Sequence, residues 1–313
     1  MKRVGLCMWL MAFAGCAPAP QAGPPVELTG ADVDLPPDEA CPCEVGDDNI
    51  FLLSEDGEIW TFDPRTLSFD YVATACRGWD SPFSMAVSRK ARAWIQYDAG
   101  KVLTLDLKDP NAACLDPGFD PPDTNYEQFG MAFVPDGAGQ ACDRMYVHSR
   151  LSGDDRGRGG GRLGVVDPNT LELTDIAGVQ YNRGDLAAMA DGRLFSFAGG
   201  DPWMLNEYDK RTGALVGDRH LKDFDDLTVA RAMVAWHGYL YIFTTSEWSD
   251  CTYVHKYDID GLDGHGEVLT TLTNDAPITI VGAGVATCAP AMLDPEPEPP
   301  PRPCDPTRSV CPD

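Results

Sequence analysis

The chain has 313 residues, 43% of them hydrophobic and 9% aromatic, with 24 Lys and Arg against 49 Asp and Glu for a net charge of -25. That apolar content suffices for a sizeable core and argues against a disordered chain, while the acidic balance excludes a general nucleic-acid binder. Removal of the first 15 residues, which hold Lys2 and Arg3 but no acid, takes the charge to -27.

Lys2 and Arg3 precede an apolar stretch from Val4 to Phe13. It is too short to span a bilayer as a helix and fits the core of a secretory signal. The stretch ends in Phe13-Ala14-Gly15-Cys16, which resembles the lipobox of bacterial lipoproteins. The resemblance implies cleavage before Cys16, diacylation of its thiol and, because Ala17 follows rather than Asp, residence in the outer membrane. Phe13 departs from the usual aliphatic residue, which leaves ordinary cleavage to a free secreted protein as the alternative. No second apolar run approaches spanning length, so the lipid is the expected membrane attachment.

Residues 16–40 hold Pro18, Pro20, Pro24, Pro25, Pro36 and Pro37 and read as an extended tether. A second Pro-rich stretch, Asp294 to Pro303, can form neither helix nor central strand. The globular part is therefore placed at 41–290, with a tail at 291–313 that carries Cys304 and Cys311 as a candidate local disulfide.

Between the tethers, apolar runs of strand length are broken by Gly, Asp, Asn and Pro, which predicts an all-β domain. One strand-plus-turn pattern recurs at Ile59 to Thr66, Leu103 to Pro110, Leu163 to Thr170, Leu205 to Thr212 and Val254 to Gly261. Its Asp residues, 63, 106, 167, 209 and 258, are spaced by 43, 61, 42 and 49. An Asp carboxylate can accept from backbone amides two residues on, the reason for its recurrence at turns. The period suits a four-stranded propeller blade.

A second element repeats five times: Phe83 to Val87, Phe129 to Phe133, Asp185 to Met189, Arg231 to Ala235 and Val281 to Val285, each small and apolar as an inner strand requires. The first hairpin has no inner strand before it and the last inner strand has no hairpin after it. The expectation is a five-bladed β-propeller in which residues 278–288 complete the first blade, with a six- or seven-bladed ring as the alternative. Asp-Pro-x-Thr hairpins of this kind resemble bacterial propellers of the quinoprotein-like and surface-layer repeat type, a likeness of architecture that transfers no active site.

Export makes the remaining cysteines disulfide candidates. The expected pairs are Cys43 with Cys288 as a staple on the ring closure, with Cys41 as rival partner, Cys114 with Cys142, and Cys76 with Cys251. Asp258, Asp260, Asp263 and Glu267 form an oxygen-rich turn that suggests calcium, although it breaks the EF-hand pattern, and a solvated hairpin extension is the competing reading. Arg156 to Arg162 reads as a surface insertion or, alternatively, an anion-gripping loop. No HExxH, GxSxG or GxxxxGK[ST] motif occurs.

Asp80, Glu127, Asp185, Asp226 and Asp275 fall at or just before the five inner strands. They are candidate ligand-binding residues and, for a glycosidase or lyase, candidate carboxylates at the funnel. Aligning the inner strands sets Asp185 and Arg231 at one level, with Ser84, Gly130 and Gly282 as their counterparts, which predicts that the two charges are close, either as a structural ion pair joining two blades or, alternatively, as the polar wall of a wide-mouthed pocket. The sequence thus points first to a lipid-anchored extracytoplasmic protein that binds an envelope protein, peptide or glycan through its loop face, without a cofactor. A carbohydrate-active enzyme is the alternative.

Overall fold

The computed structural model describes residues 50–288 apart from 80, 98–99, 112, 120–123, 138–141, 150–159, 168–169, 200–201, 222–223, 225–227, 247–251 and 262–267. Cys16, Cys41, Cys43, Cys251, Cys304, Cys311, both tethers and most of the Arg-rich loop lie outside the described residues.

Five antiparallel sheets form a five-bladed propeller. Blade one comprises β1 (Ile50–Ser54), β2 (Glu58–Asp63) and β3 (Ser68–Thr74) and is completed by the last strand, β19 (Ile280–Gly284). Blade two holds β4 (Pro82–Val87), β5 (Arg92–Tyr97) and β6 (Val102–Asp106). Blade three runs β7 (Phe129–Pro135), β8 (Asp143–Ser149), β9 (Gly161–Val166) and β10 (Leu173–Val179). Blade four is β11 (Asp185–Ala188), β12 (Leu194–Gly199), β13 (Trp203–Tyr208) and β14 (Leu215–His220). Blade five is β15 (Thr228–Trp236), β16 (Tyr239–Ser246), β17 (Thr252–Asp258) and β18 (Val268–Ala276).

The inner strands β19, β4, β7, β11 and β15 pack side by side in a closed ring, and their composition explains how. A Cβ on Gly130 would fall 2.3 Å from the Gly184 carbonyl oxygen, and one on Gly282 would fall 2.8 Å from the Met85 nitrogen. Small residues let five backbones converge where larger ones would hold them apart. Outer strands face water and are written accordingly: β14, Leu215-Val216-Gly217-Asp218-Arg219-His220, is exposed or half-buried throughout. The core consists of apolar layers between neighbouring blades, such as Phe62, Phe243 and Ile280 between blades five and one, or Phe195, Phe197 and Ile242 between four and five. Each fully buried side chain of this size contributes about 1.5 to 3 kcal/mol of transfer free energy.

Four of the five recurrent Asp residues accept a turn amide, three of them from the residue two on as expected and Asp167 from the residue three on. Asp63 Oδ1 accepts from the Arg65 amide at 2.9 Å, Asp106 from Lys108 at 3.0 Å, Asp167 from Thr170 at 3.1 Å and Asp209 from Arg211 at 2.8 Å. The Asp63, Asp167 and Asp209 turns are one residue longer than a simple type I turn, because the amide four residues on also returns to the Asp carbonyl at 2.7 to 2.8 Å. That residue is left-handed, as Leu67, Leu171 or Gly213.

In blade two the described residues hold three strands, and in place of a fourth, Leu115 exchanges both backbone hydrogen bonds with Thr104 at 2.8 and 2.9 Å. This returning segment corrects the expected disulfides. Cys114 bonds to Cys76, with Cα atoms 5.0 Å apart, which overturns the pairings of Cys114 with Cys142 and of Cys76 with Cys251. The reason is topological: Cys142 precedes β8 at the lower end of blade three, whereas Cys114 has climbed back along β6 towards the β3–β4 connection that holds Cys76. Cys142 and Cys288 each also take part in a disulfide.

Candidate functional site

The connections from each blade's last strand to the next blade's first lie on one face, the loop face, where the inner strands begin. Asp185 opens β11 there, 8% exposed, and its Oδ2 accepts the Met233 amide at 2.7 Å. Burial raises its pKa to about 7, against the opposing effects of the Met233 and Leu186 amides and of the Arg231 charge. Arg231 stands two residues before Met233 and donates from Nη2 to the Arg183 carbonyl, with its guanidinium 5.0 Å from the Trp203 ring centroid. The two charges are near enough for Arg231 to act on the Asp185 carboxylate, as the strand alignment anticipates. Gly130 presses on the Asp185 backbone, and the Ser84 hydroxyl is near enough to favour the carboxylate without meeting hydrogen-bond geometry. Below, the channel walled by Ala86, Ala132, Ala187, Val234 and Gly284 holds about 20 Å³, room for about one water.

Of the remaining carboxylates, the two that are described, Glu127 and Asp275, do not join Asp185 at this mouth. Glu127 is exposed ahead of β7, where its carbonyl accepts from Gln96 Nε2 at 3.3 Å, and Asp275 is exposed on β18, the outermost strand of blade five. Asp80 and Asp226 lie outside the described residues. In the oxygen-rich turn, Asp260 is gripped by Arg193 through contacts of 2.9 and 2.6 Å that join blades four and five, and Asp258 is buried; Asp263 and Glu267 lie outside the described residues. Among the described residues no three His, Cys, Asp or Glu side chains come together as a metal site needs.

Beside the channel mouth, the seam between blades three and four, otherwise packed by Val134, Leu163, Ile176, Leu186 and Leu194, holds a cluster of buried polar side chains. His148 on β8 is fully buried and its Nδ1 accepts the Gly184 amide at 3.1 Å. Neutral imidazole therefore carries its proton on Nε2, and burial holds the His148 pKa down at about 4. Across the seam stand Ser196, its cross-strand partner Asn206, and Tyr208, whose ring centroid is 6.4 Å from that of His148. His148 Nε2, Ser196 Oγ, both Asn206 amide atoms and the Tyr208 hydroxyl are buried without a protein partner. Gly184 completes the arrangement, since a Cβ there would fall 2.2 Å from Ser196 Oγ and 3.0 Å from the imidazole.

A larger opening on the loop face lies elsewhere. A cleft of about 590 Å³ separates the β3–β4 connection from the segment returning along β6, and is walled by Thr74, Arg77, Trp79, Asn111, Asp116 and the Cys76–Cys114 disulfide. Trp79 is 45% exposed and rests on Tyr97, with ring centroids 5.9 Å apart. Asp116 is held ionised: Lys101 Nζ donates to it and the Gly118 amide bonds it at 2.8 Å, which together draw its pKa below the ordinary value. Sequence reasoning on the inner strands missed this site. Its signal was Cys76-Arg77-Gly78-Trp79, a large aromatic set in a polar turn between two strands.

No protein-family model and no curated protein matches the chain. Solved structures with similarity include a quinonprotein alcohol dehydrogenase-like protein from Bacteroides thetaiotaomicron (11% identity, TM-score 0.37, 75% of this chain and 66% of that one). An auxiliary nutrient binding protein from the same organism gives 12% identity and a TM-score of 0.43 over 74% of this chain and 55% of that one. An engineered GH43 glycoside hydrolase gives 13% and 0.36 over 75% and 41%. This chain thus spans less than two thirds of each. The propeller architecture stands on the ring of inner strands itself.

Proposed function

We propose that the protein is a lipid-tethered extracytoplasmic binding protein that takes its ligand on the loop face, in the cleft between blades one and two. The observation that carries this reading is the contrast between the space inside the ring and the cleft on the loop face. Where Ala86, Ala132, Ala187, Val234 and Gly284 wall it, the central channel admits about one water, whereas the cleft has about 590 Å³, within the usual range of ligand sites. The buried carboxylate at the channel mouth, Asp185, is engaged by the backbone of blade five, which suits it to holding two blades together. The anchor rests on Ala14-Gly15-Cys16 and the Pro-rich spacer after it, which would hold the ring off the membrane.

Titration of the mature chain against oligosaccharide and peptide panels tests the reading, with turnover of each compound followed in parallel. Binding that Trp79→Ala abolishes, without turnover, is the expected result. Turnover that Asp185→Asn abolishes would instead establish the carbohydrate-active enzyme. Mass spectrometry of the mature N-terminus should find acylated Cys16; a free terminus beyond residue 17 would mean a soluble secreted protein.

A further inference from the structure

We infer that the cleft is a saccharide site in which one sugar ring stacks on Trp79 while Arg77, Asn111 and Asp116 hold its hydroxyls; this rests on the cleft being the binding site. The indole is a flat apolar plate that the fold keeps out of the core. Its segment runs through left-handed backbone at Cys76 (φ 42°), Gly78 (φ 94°) and Ser81 (φ 58°), conformations that cost a non-glycine residue about 1 kcal/mol or more. The Cys76–Cys114 bond and the Trp79 amide, which donates to the Cys76 carbonyl at 3.1 Å, fix that turn. Tyr97 supports the ring from the interior side and is itself only 1% exposed. A large aromatic presented this way is preorganised for a partner with an apolar face.

The chemistry around it selects the partner. A pyranose offers a C–H face for the indole and a rim of hydroxyls that each donate and accept. The rim of the cleft supplies matching planar groups: the Arg77 guanidinium donates, the Asp116 carboxylate accepts, and the Asn111 amide does both. A peptide strand would need a free sheet edge, and at the adjacent β6 edge both backbone groups of Thr104 are already taken by Leu115.

The test is titration of the full mature chain with neutral and uronic-acid-containing oligosaccharides, read by tryptophan fluorescence and calorimetry. A sugar should bind with negative heat-capacity change, Trp79→Ala should weaken it at least tenfold, Trp79→Phe less, and Arg77→Gln and Asn111→Ala each about threefold, with unchanged thermal unfolding. Failure of every oligosaccharide to bind, or sugar binding indifferent to Trp79→Ala, overturns the inference. Peptide binding lost in Trp79→Ala would overturn the sugar while leaving the binding-protein reading intact. Wild-type protein that binds neither class fails both.

Discussion

Phe51 of β1 stands opposite Gly284 of β19, so the first and last described strands share one sheet. The ring closes there as a clasp of three strands from the start of the domain and one from its end. On the lower face, buried Asp143 of blade three carries the fastening further: it meets Arg89 of blade two at 3.1 Å and accepts from Thr287, just past β19. Truncation at 277 removes β19 and Thr287 and leaves two open sheet edges beside the channel. The truncated chain should lose its single cooperative denaturant transition, or unfold at a clearly lower midpoint. A smaller probe is Gly284→Ala, whose Cβ would fall 2.6 Å from Val87 Cγ2 and 2.9 Å from the Val87 nitrogen. Overpacking of this kind costs about 1 to 3 kcal/mol, measurable by urea unfolding.

His148 and Asp185 should oppose each other in the pH dependence of stability. Burial lowers the His148 pKa from 6.5 to about 4, so its contribution is full above 6.5 and is lost as pH falls towards 4. Burial raises the Asp185 pKa from 3.8 to about 7, so its contribution is full below 3.8 and is lost as pH rises towards 7. In the intact protein the two slopes offset between about pH 4 and 7. Asp185→Asn keeps an oxygen for the Met233 amide and should expose the His148 slope, with stability falling on acidification. His148→Gln should expose the reverse. Unfolding midpoints from pH 4 to 8 for the three proteins check the signs, and parallel profiles would count against both assignments.

The orphaned seam atoms predict solvent. His148 Nε2 and the Asn206 amide nitrogen donate, while Ser196 Oγ and the Tyr208 hydroxyl do both, so water satisfies all of them where a cation would face the His148 proton. A crystal structure at about 1.5 Å or better should show ordered water within about 3 Å of His148 Nε2 and of Asn206. An empty seam, with the polar atoms rearranged onto one another, would contradict this.

The turn at Asp209 gives the most local test. Its Oδ1 accepts the Arg211 and Thr212 amides at 2.8 and 3.1 Å, so Asp209→Ala should cost about 1 kcal/mol, and Asp209→Asn less. Equal stability of all three proteins by thermal unfolding would deny these turns any role beyond chain reversal.

What was legible in the sequence divides along the same lines. Blade number, inner strands and circular closure could be read because they rest on local chemistry that repeats from blade to blade: an Asp that caps its own turn at Asp63, Asp106, Asp167 and Asp209, and small residues where Gly130, Gly282 and Gly284 let strands meet. The neighbouring placement of Asp185 and Arg231 followed from aligning those repeats. The disulfide could not be read, because it depends on where Leu115 returns along β6, a feature unique to blade two. The cleft escaped for the same reason, since it is built where the repeat breaks. The seam was hidden because it needs His148, Ser196 and Asn206 from different blades to face one another.

The Cys76–Cys114 bond should matter more to the cleft than to the ring. It joins positions 38 residues apart, and loop-closure entropy alone sets an upper contribution of about 4 kcal/mol. Cys76 follows β3 and Cys114 lies beside β6, the outermost strands of blades one and two among the described residues, so the double variant Cys76→Ser and Cys114→Ser should still fold as a propeller, with a lower melting temperature and an unchanged far-UV circular dichroism spectrum. The turn that presents Trp79 would then rest on the Cys76 to Trp79 hydrogen bond and the Tyr97 contact alone, with the left-handed residues Cys76 and Ser81 free to relax. Hydrogen exchange should accelerate across residues 75–79 and 113–116 and stay unchanged in β7 and β11. Acceleration spread evenly over all five blades would show instead that the bond stabilises the ring as a whole and gives the cleft no special rigidity.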